Sequence, residues 1–339
     1  MDTTPLVRTP PLLSFALIAL LSLLTACGGE KANEADNWSL MLSDLPGALT
    51  SVWGTSATDV WAVGGDPDDR SGNTVLHYDG SQWERLTTGY NGDLWWVFGF
   101  ADGPVYMSGK NGLVLKYQNG TFERMDTPGT ATVYGIWGVS PNDLWAVGGN
   151  VTGGAFAWRY EGEGWQPAEG FPGEIAASDS LFKAWGSSNN DVWLIGTGGI
   201  TIHFDGTTFS TDPSQTTRHL FTVHGRTGDY AAVGGFGSGV IVQHDGQEWK
   251  DVTPNGAPHV IGVYLDDKGS YAVGVEGSVL RREDGKWQVL DTGLDLIQAL
   301  HAVWVDPEGG VWAAGGQVLA PPLVNGVLLH RKVIASDAL

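Results

Sequence analysis

The chain is poor in basic residues. Of its 339 residues, 18 are Lys or Arg and 38 are Asp or Glu, which gives a formal net charge of -20. A protein that binds DNA or RNA uses Lys and Arg to displace counterions from phosphate, so this balance argues against nucleic acid as a partner. It also argues against electrostatic adsorption to an anionic bilayer. An acidic chain is instead suited to high solubility and to cationic partners or divalent ions.

The chain also has few cysteines and no apolar run long enough to span a membrane. Cys27 is its only cysteine, so no disulfide can form within the chain. The apolar run at 12–24 has 13 residues, whereas a membrane-spanning helix needs about 20. A short apolar run behind a basic residue, here Arg8, is typical of a secretory signal peptide.

The end of that run, LTAC (24–27), resembles the lipobox of bacterial lipoproteins. The resemblance implies cleavage before Cys27, acylation of its sulfur and new amine, and anchoring in a lipid bilayer. An ordinary signal peptide with an incidental cysteine is the alternative. Gly28 follows the cysteine in place of Asp, which by resemblance to enterobacterial sorting implies the outer membrane, on its periplasmic or cell-surface face. We therefore interpret 1–26 as a lipoprotein signal peptide and 27–36 as the lipidated cysteine with a polar tether.

The segment 37–333 reads as seven repeats, and 334–339 as a C-terminal tail. Each repeat has an aromatic or histidine anchor in its first strand, and successive anchors lie 39 to 48 residues apart. This period is typical of β-propeller blades that have four strands each. The anchors are Trp53, Phe98, Trp137, Trp185, His224, Tyr264 and Trp304.

Four features recur in phase within the repeats. Strand a carries the anchor, and strand b is a VWAVG-like run closed by a glycine. Strand c is a run such as TVLHY (74–78), after which most repeats have an Asp-Gly or Asn-Gly pair suited to a tight hairpin. Strand d opens with an aromatic residue such as Trp83. The pattern predicts an all-β fold, a seven-bladed β-propeller of four-stranded antiparallel blades. The glycines that close strand b are Gly64, Gly109, Gly148, Gly196, Gly234, Gly274 and Gly315.

The last repeat lacks its fourth strand. It has strands a to c and stops at His330, while a strand-d pattern without a preceding strand a stands at 36–42. We therefore expect the N-terminal strand to complete the last blade and close the ring. Closure would remove the exposed sheet edges that invite aggregation.

The WAVG…VLHYDG…W repeat resembles the Kelch, BNR and photosystem-assembly-factor repeats of bacterial propeller lipoproteins. The resemblance covers residues 38 to 333. It lacks the full Ser-x-Asp-x-Gly-x-x-Trp box of sialidases and the tryptophan-docking signature of quinoprotein dehydrogenases. It therefore implies the propeller fold and no specific activity.

No catalytic motif is present: HExxH, GxSxG, a P-loop and CxxC are all absent. Most of the 16 Trp fall at repeated strand positions, which predicts packing between blades. Trp95 lies off that pattern. Asp59, Asp143 and Asp191 recur in the a–b turns, where we expect each to cap its turn through a backbone N–H.

An acidic insert at 65–73 is the one place that suggests a metal. Asp66, Asp68 and Asp69 could offer oxygen ligands to Ca²⁺, although their spacing is not that of an EF-hand. A solvated loop is the alternative interpretation. No other cofactor is predicted.

Variable loop length is concentrated on one face of the predicted propeller, which we call the variable face. Its long b–c loops are 65–73, 149–154 and 316–326, and its long d–a loops are 87–94, 167–182, 211–220 and 291–301. Loops on a rigid scaffold are where recognition usually evolves. The candidate binding residues on this face are Asp66, Asp68, Asp69, Trp95, Phe171, Glu174, Asp179, Arg218, His219, Leu319 and Leu323.

Three functions fit these observations. The favoured one is a non-catalytic scaffold that binds an envelope protein or a glycan. The second is a glycan hydrolase or lyase at the channel mouth, which would need paired carboxylates; Glu169, Glu174 and Asp179 are candidates by location alone. The third is an assembly factor for an envelope complex. Converging carboxylates in the channel would favour the enzyme, and a large apolar patch would favour a protein partner.

Overall fold

A computed structural model describes residues 38–150 and 153–332. These residues form 28 strands in seven four-stranded antiparallel sheets. The predicted seven-bladed propeller is therefore confirmed. The signal peptide, Cys27 with its tether, and the C-terminal tail all lie outside the described residues.

Each of the first six blades is built from four consecutive strands. Blade 1 contains β2 (Leu49–Ser56), β3 (Asp59–Gly64), β4 (Thr74–Tyr78) and β5 (Trp83–Arg85). Blade 2 contains β6 (Leu94–Gly99), β7 (Val105–Gly109), β8 (Val114–Gln118) and β9 (Thr121–Arg124). Blade 3 contains β10 (Thr132–Ser140), β11 (Asp143–Asn150), β12 (Gly153–Tyr160) and β13 (Trp165–Pro167).

A short helix, α1 (Gly173–Ser178), stands between blades 3 and 4 in the chain. Blade 4 contains β14 (Leu181–Ser188), β15 (Asp191–Gly196), β16 (Thr201–Phe204) and β17 (Phe209–Thr211). Blade 5 contains β18 (Leu220–Arg226), β19 (Asp229–Gly234), β20 (Val240–His244) and β21 (Trp249–Asp251). Blade 6 contains β22 (Val260–Tyr264), β23 (Ser270–Gly274), β24 (Val279–Glu283) and β25 (Lys286–Leu290). Within the described part of the chain, no helix has the length and apolar character needed to cross a membrane.

Blade 7 is completed by the N-terminal strand, as predicted. It contains β26 (Ala299–Val305), β27 (Val311–Gln317), β28 (Val324–Arg331) and, on the outside, β1 (Trp38–Gly47). β1 pairs antiparallel with β28 along its whole length, from Trp38 opposite Arg331 to Gly47 opposite Val324. The first and last described strands therefore share one sheet, which joins the two ends of the ring.

Every strand a carries a β-bulge at the same place. In blade 1, Leu49 pairs with Gly64 and Ser51 pairs with Val63, so Thr50 is the extra residue between them. The corresponding shift occurs in the other six blades. A bulge bends the strand and re-aims the side chain of the extra residue.

The glycine that closes strand b permits this bulge. A Cβ on Gly64 would lie 1.8 Å from the carbonyl oxygen of Ala48. At the other six glycines, the Cβ would lie between 1.9 and 2.2 Å from the equivalent carbonyl. No side chain fits at that distance, so the repeated glycine is a requirement of backbone packing.

The anchor residues interlock the blades, in agreement with the packing role predicted for the phased tryptophans. The indole of Trp304 lies so close to Gly54 of blade 1 that a Cβ there would be 2.8 Å from it. Trp53 covers Gly99 of blade 2 in the same manner, at 2.7 Å. At these two positions the glycine after the anchor makes room for the anchor of the preceding blade.

Asp59, Asp143 and Asp191 in the a–b turns bind side chains instead of the backbone N–H groups we expected. Asp59 Oδ1 lies 2.7 Å from His77 Nε2 and accepts a hydrogen bond from Trp61 Nε1 at 3.2 Å. The hydrogen bond to His77 is the main reason that the pKa of Asp59 is lowered. Asp191 makes the same contact with His203, at 2.8 Å. These carboxylates therefore tie strand c to the turn between strands a and b.

Candidate functional site: the channel mouth

The seven bulged residues form a ring around one end of the central channel. Each lies near the start of strand a, beside the d–a and b–c loops, so the ring surrounds the channel mouth on the variable face. We call these residues the mouth ring: Thr50, Trp95, Tyr134, Phe182, Phe221, Ile261 and His301.

The aromatic members of the mouth ring contact one another in sequence around the channel. Trp95 and Tyr134 have ring centroids 5.5 Å apart, and Tyr134 and Phe182 are 5.4 Å apart. Phe182 and Phe221 follow at 5.5 Å. On the other side, Trp95 lies 5.8 Å from His301. An aromatic wall therefore covers most of the circumference.

The mouth ring, except Thr50, lines a cavity of about 200 Å³. The other described residues that line the cavity are Lys183, Phe236, His259, Val318 and Leu319. None of these lining residues is Asp or Glu. The cavity is thus largely apolar, with a few polar groups, which is the usual composition of a binding site.

Three large apolar side chains are exposed beside the mouth. Phe236 in blade 5 is 66% exposed, Ile297 is 85% exposed, and Leu319 in blade 7 is 57% exposed. Ile297 and Leu319 line one depression next to the cavity, and the ring of Phe236 packs 5.7 Å from that of Phe221. We call these three residues the apolar rim. They extend the apolar surface of the mouth over blades 5 to 7.

A buried lysine lies one residue deeper in the channel than the mouth ring. Lys183 is 3% exposed, and its Nζ donates a hydrogen bond to the carbonyl oxygen of Tyr134 at 3.2 Å. The same Nζ lies 3.4 Å from the ring centroid of Trp96. A Cβ on Gly135 would stand 3.2 Å from Lys183 Cδ, so this glycine leaves space for the lysine to cross blade 3. Burial lowers the pKa of Lys183 well below its ordinary value.

Two histidines of the cavity have lowered pKa values. His301 Nδ1 lies 2.5 Å from the carbonyl oxygen of Thr50, and burial, with a smaller contribution from the charge of Lys183, lowers the pKa of His301 to about 4. His259 is 5% exposed, and burial lowers its pKa as well. His259 Nε2 is buried without a hydrogen-bond partner in the described part of the protein.

Three of the residues predicted from the sequence lie at or beside this site. Trp95 belongs to the mouth ring and Leu319 to the apolar rim. His219 borders them, with its ring 5.8 Å from that of Phe236, and its Nδ1 accepts a hydrogen bond from the backbone N–H of Gly198 at 2.9 Å.

The acidic insert lies apart from the residues that line the mouth cavity. Asp66 accepts hydrogen bonds from the backbone N–H groups of Asp68 and Gly92, at 3.0 and 2.7 Å. Asp69 accepts a hydrogen bond from the backbone N–H of Ser71 at 2.8 Å, and Asp68 is exposed. Among residues 38–150 and 153–332, no group of three or more His, Cys, Asp or Glu is arranged to hold a metal ion. Calcium binding by this loop stays a prediction, which melting in millimolar Ca²⁺ would test.

The other predicted residues contribute to local packing. Phe171 contacts Phe209 of the outer strand of blade 4, with centroids 5.7 Å apart, and Glu174 is exposed on α1. Asp179 accepts a hydrogen bond from Thr197 Oγ1 at 2.8 Å. Arg218 donates to the carbonyl oxygen of Ser238 at 2.7 Å, and Leu323 is buried, at 2% exposed. The structure does not bring these five residues together.

Most residues of the mouth ring were not predicted from the sequence, because the candidate binding residues were taken mainly from the variable loops. Every member of the mouth ring stands three residues before the anchor of its blade, and Lys183 stands two before Trp185. The glycine at the end of strand b marks the bulge at the same point. Together these two signals locate the ring from the sequence alone.

Comparisons with known proteins agree on the fold. No protein-family model matches the chain, and no curated protein matches its sequence. Among solved structures, YCF48 from Cyanidioschyzon merolae has a TM-score of 0.66 and 16% identity, over 87% of this chain and 99% of that chain. A streptogramin B lyase has a TM-score of 0.67 and 14% identity, over 87% and 98%. YCF48 bound to D1 peptide has a TM-score of 0.64 and 16% identity, over 88% and 97%. At these identities the likeness shows the β-propeller fold alone.

Proposed function

We propose that this propeller is a non-catalytic binding scaffold that holds a protein partner on its variable face, centred on the channel mouth. The observation that carries the proposal is the aromatic mouth ring together with the apolar rim. Contiguous apolar patches on a protein surface often mark sites that bind a protein or a ligand. The loops around the mouth also carry the variation in length expected of a recognition surface.

The structural neighbours support a binding role. YCF48 has been solved with a D1 peptide bound, so a propeller of similar fold binds a polypeptide. An assembly factor that binds a subunit of an envelope complex is one form of the same proposal. The enzymatic alternative needs paired carboxylates, and no Asp or Glu is among the described residues that line the mouth cavity.

The proposal includes attachment to the cell envelope. On this account Cys27 is acylated and holds the propeller at the outer membrane, with 28–36 as the tether. Several acyl chains hold a protein firmly, since each buried methylene contributes about 0.8 kcal/mol. Metabolic labelling with an alkyne fatty acid should label the wild type and fail to label Cys27→Ser. Equal labelling of both proteins would refute the lipid anchor.

The binding proposal is tested by capture from gently solubilised envelopes. A variant with Phe236→Ser, Ile297→Ser and Leu319→Ser removes the apolar rim. Its matched control changes Val139 and Val289, which are exposed elsewhere at 43% and 61%, to Ser. We expect a protein that the wild type and the control retain and the rim variant loses.

Identical capture by the rim variant and the control would contradict the proposal. A glycan is the second candidate, because aromatic faces such as that of Trp95 also stack on sugar rings. Glycan binding that Trp95→Ala abolishes, with no protein captured, would favour that candidate.

A further inference from the structure

Lys183 is the one charged residue at its position in the seven blades. The equivalent residues, two before each anchor, are Ser51, Trp96, Gly135, Thr222, Gly262 and Ala302. A buried charge is costly unless a counter-charge pairs with it, and an apolar side chain would fill the same space without that cost. Among the described residues no carboxylate pairs with Lys183, and burial alone accounts for its lowered pKa.

Two polar groups at the cavity have hydrogen-bonding positions that no described residue fills. An ammonium has three N–H donors, of which Lys183 uses one on the carbonyl oxygen of Tyr134. Its Nζ also lies over the ring of Trp96, which leaves at least one donor for a ligand. His259 Nε2, which belongs to a side chain that also lines the cavity, is buried and unpaired within the described chain. Buried polar groups without partners cost free energy, so both are suited to a ligand that supplies acceptors.

We propose that the channel mouth binds a monocarboxylate carried on an aromatic or branched apolar group, with the carboxylate paired to Lys183 and the hydrocarbon packed against the mouth ring. The inference deepens the proposed function and rests on the same site. A single buried cation balances a single negative charge, whereas a dianion such as phosphate would bring an uncompensated charge into an apolar cavity. The volume of about 200 Å³ matches a ligand of one ring and a short acidic arm.

The electrostatics of the site agree with this ligand class. The pKa of Lys183 is depressed because burial disfavours its charged form. A bound carboxylate would favour that form again, since an opposite charge within a few ångströms stabilises the ammonium. Charge-assisted hydrogen bonds in a water-poor site are also stronger than neutral ones.

Calorimetric titration of the purified protein with three probes tests the proposal. The probes are 3-phenylpropionate, its neutral amide and 3-phenylpropylamine, which share the ring and differ in charge. We expect the acid to bind at least about tenfold more tightly than the amide, and the amine to bind most weakly. Lys183→Met should remove the preference for the acid. Lys110→Met should retain it, because Lys110 is on the same face but is paired with Asp93.

A folding control accompanies the variants. We expect Lys183→Met to melt at or above the temperature of the wild type, because a buried polar group is replaced by an apolar one of similar size. His259→Phe gives a second variant, which should weaken the acid and the amide alike, because each supplies an acceptor, and should retain the preference for the acid. Acid binding that is no stronger than amide binding, or that survives Lys183→Met in the folded protein, would overturn the proposal.

Two further probes identify the source of the carboxylate. N-acetyl-Gly-Phe with a free carboxyl end represents a polypeptide terminus, and its amidated form is the control. Binding of the free peptide acid supports a chain end as the natural ligand, and binding of 3-phenylpropionate alone supports a small acid. Retained protein capture with no acid binding would refute this inference and leave the proposed function standing. If the acid binds but the rim variant captures the same proteins as the wild type, the proposed function is refuted and this inference stands.

Discussion

Replacing Gly234 by Ala should destabilise the propeller more than an ordinary Gly→Ala change. The new Cβ would stand 1.9 Å from the carbonyl oxygen of His219 and 2.9 Å from the Cα of Leu220. Ordinary contacts are at least 3.4 Å, so the start of strand a must move by about 1.5 Å in a close-packed interior. Overpacking of this kind costs about 1–3 kcal/mol.

The expected loss can be measured by urea unfolding followed by tryptophan fluorescence. Gly164→Ala is the matched control, because its Cβ meets nothing within 4 Å and its backbone is unstrained. We expect a clear fall in the urea midpoint for Gly234→Ala and almost none for the control, with unchanged slopes. Because Phe221 is the bulged residue of the same blade, acid binding at the mouth should weaken as well. Equal midpoints for both variants would refute the role given to the strand-b glycine.

The other predictions concern closure, acid lability and the a–b turns. Trp38→Ala should lower the free energy of unfolding by about 3–5 kcal/mol, because Trp38 is 6% exposed and packs edge-on against Tyr271. Met41→Ala on the same strand should have little effect, and thermal melts of both variants measure the difference. The pKa values of His224 and His301 are lowered to about 3 and about 4, mainly by burial, so the unfolded chain binds more protons than the folded one below pH 6.5. Stability should therefore fall from pH 6.5 towards pH 4 by about 1.4 kcal/mol per pH unit for each histidine, and His224→Phe should reduce this slope in urea titrations. Asp306→Ala leaves the backbone N–H groups of Glu308 and Gly310 and the indole N–H of Trp312 unpaired, and should cost about 3 kcal/mol in the same assay, with Asp306→Asn less damaging.

The blades could be predicted from the sequence because their signals are local and repeated. An anchor, a closing glycine, a tight turn and an aromatic strand start all recur within one blade, so each repeat confirms the others. The closing strand was predicted because blade 7 lacked a fourth strand. Its length, ten residues to Gly47, was not predicted, since it depends on pairing along the whole of β28.

The mouth was harder to predict because its residues come from every blade. Thr50, Trp95 and Ile261 share no residue type, so in the sequence they are related only by their position three residues before each anchor. The bulge register shows that this position faces the channel in every blade. The burial of Lys183 depends on the space left by Gly135 and on the indole of Trp96, which belong to two other blades. Contacts of this kind between different blades cannot be predicted from the sequence pattern within one repeat.

Site-specific photo-crosslinking in intact cells tests whether a partner binds at the channel mouth. A photoreactive phenylalanine analogue replaces Phe236 beside the mouth in one protein. In another it replaces Val139, which lies near the end of β10 at the opposite face. We expect a discrete adduct from position 236 and none from position 139. An adduct from position 139 alone, or equal adducts from both, would contradict the assignment of the channel mouth as the binding site.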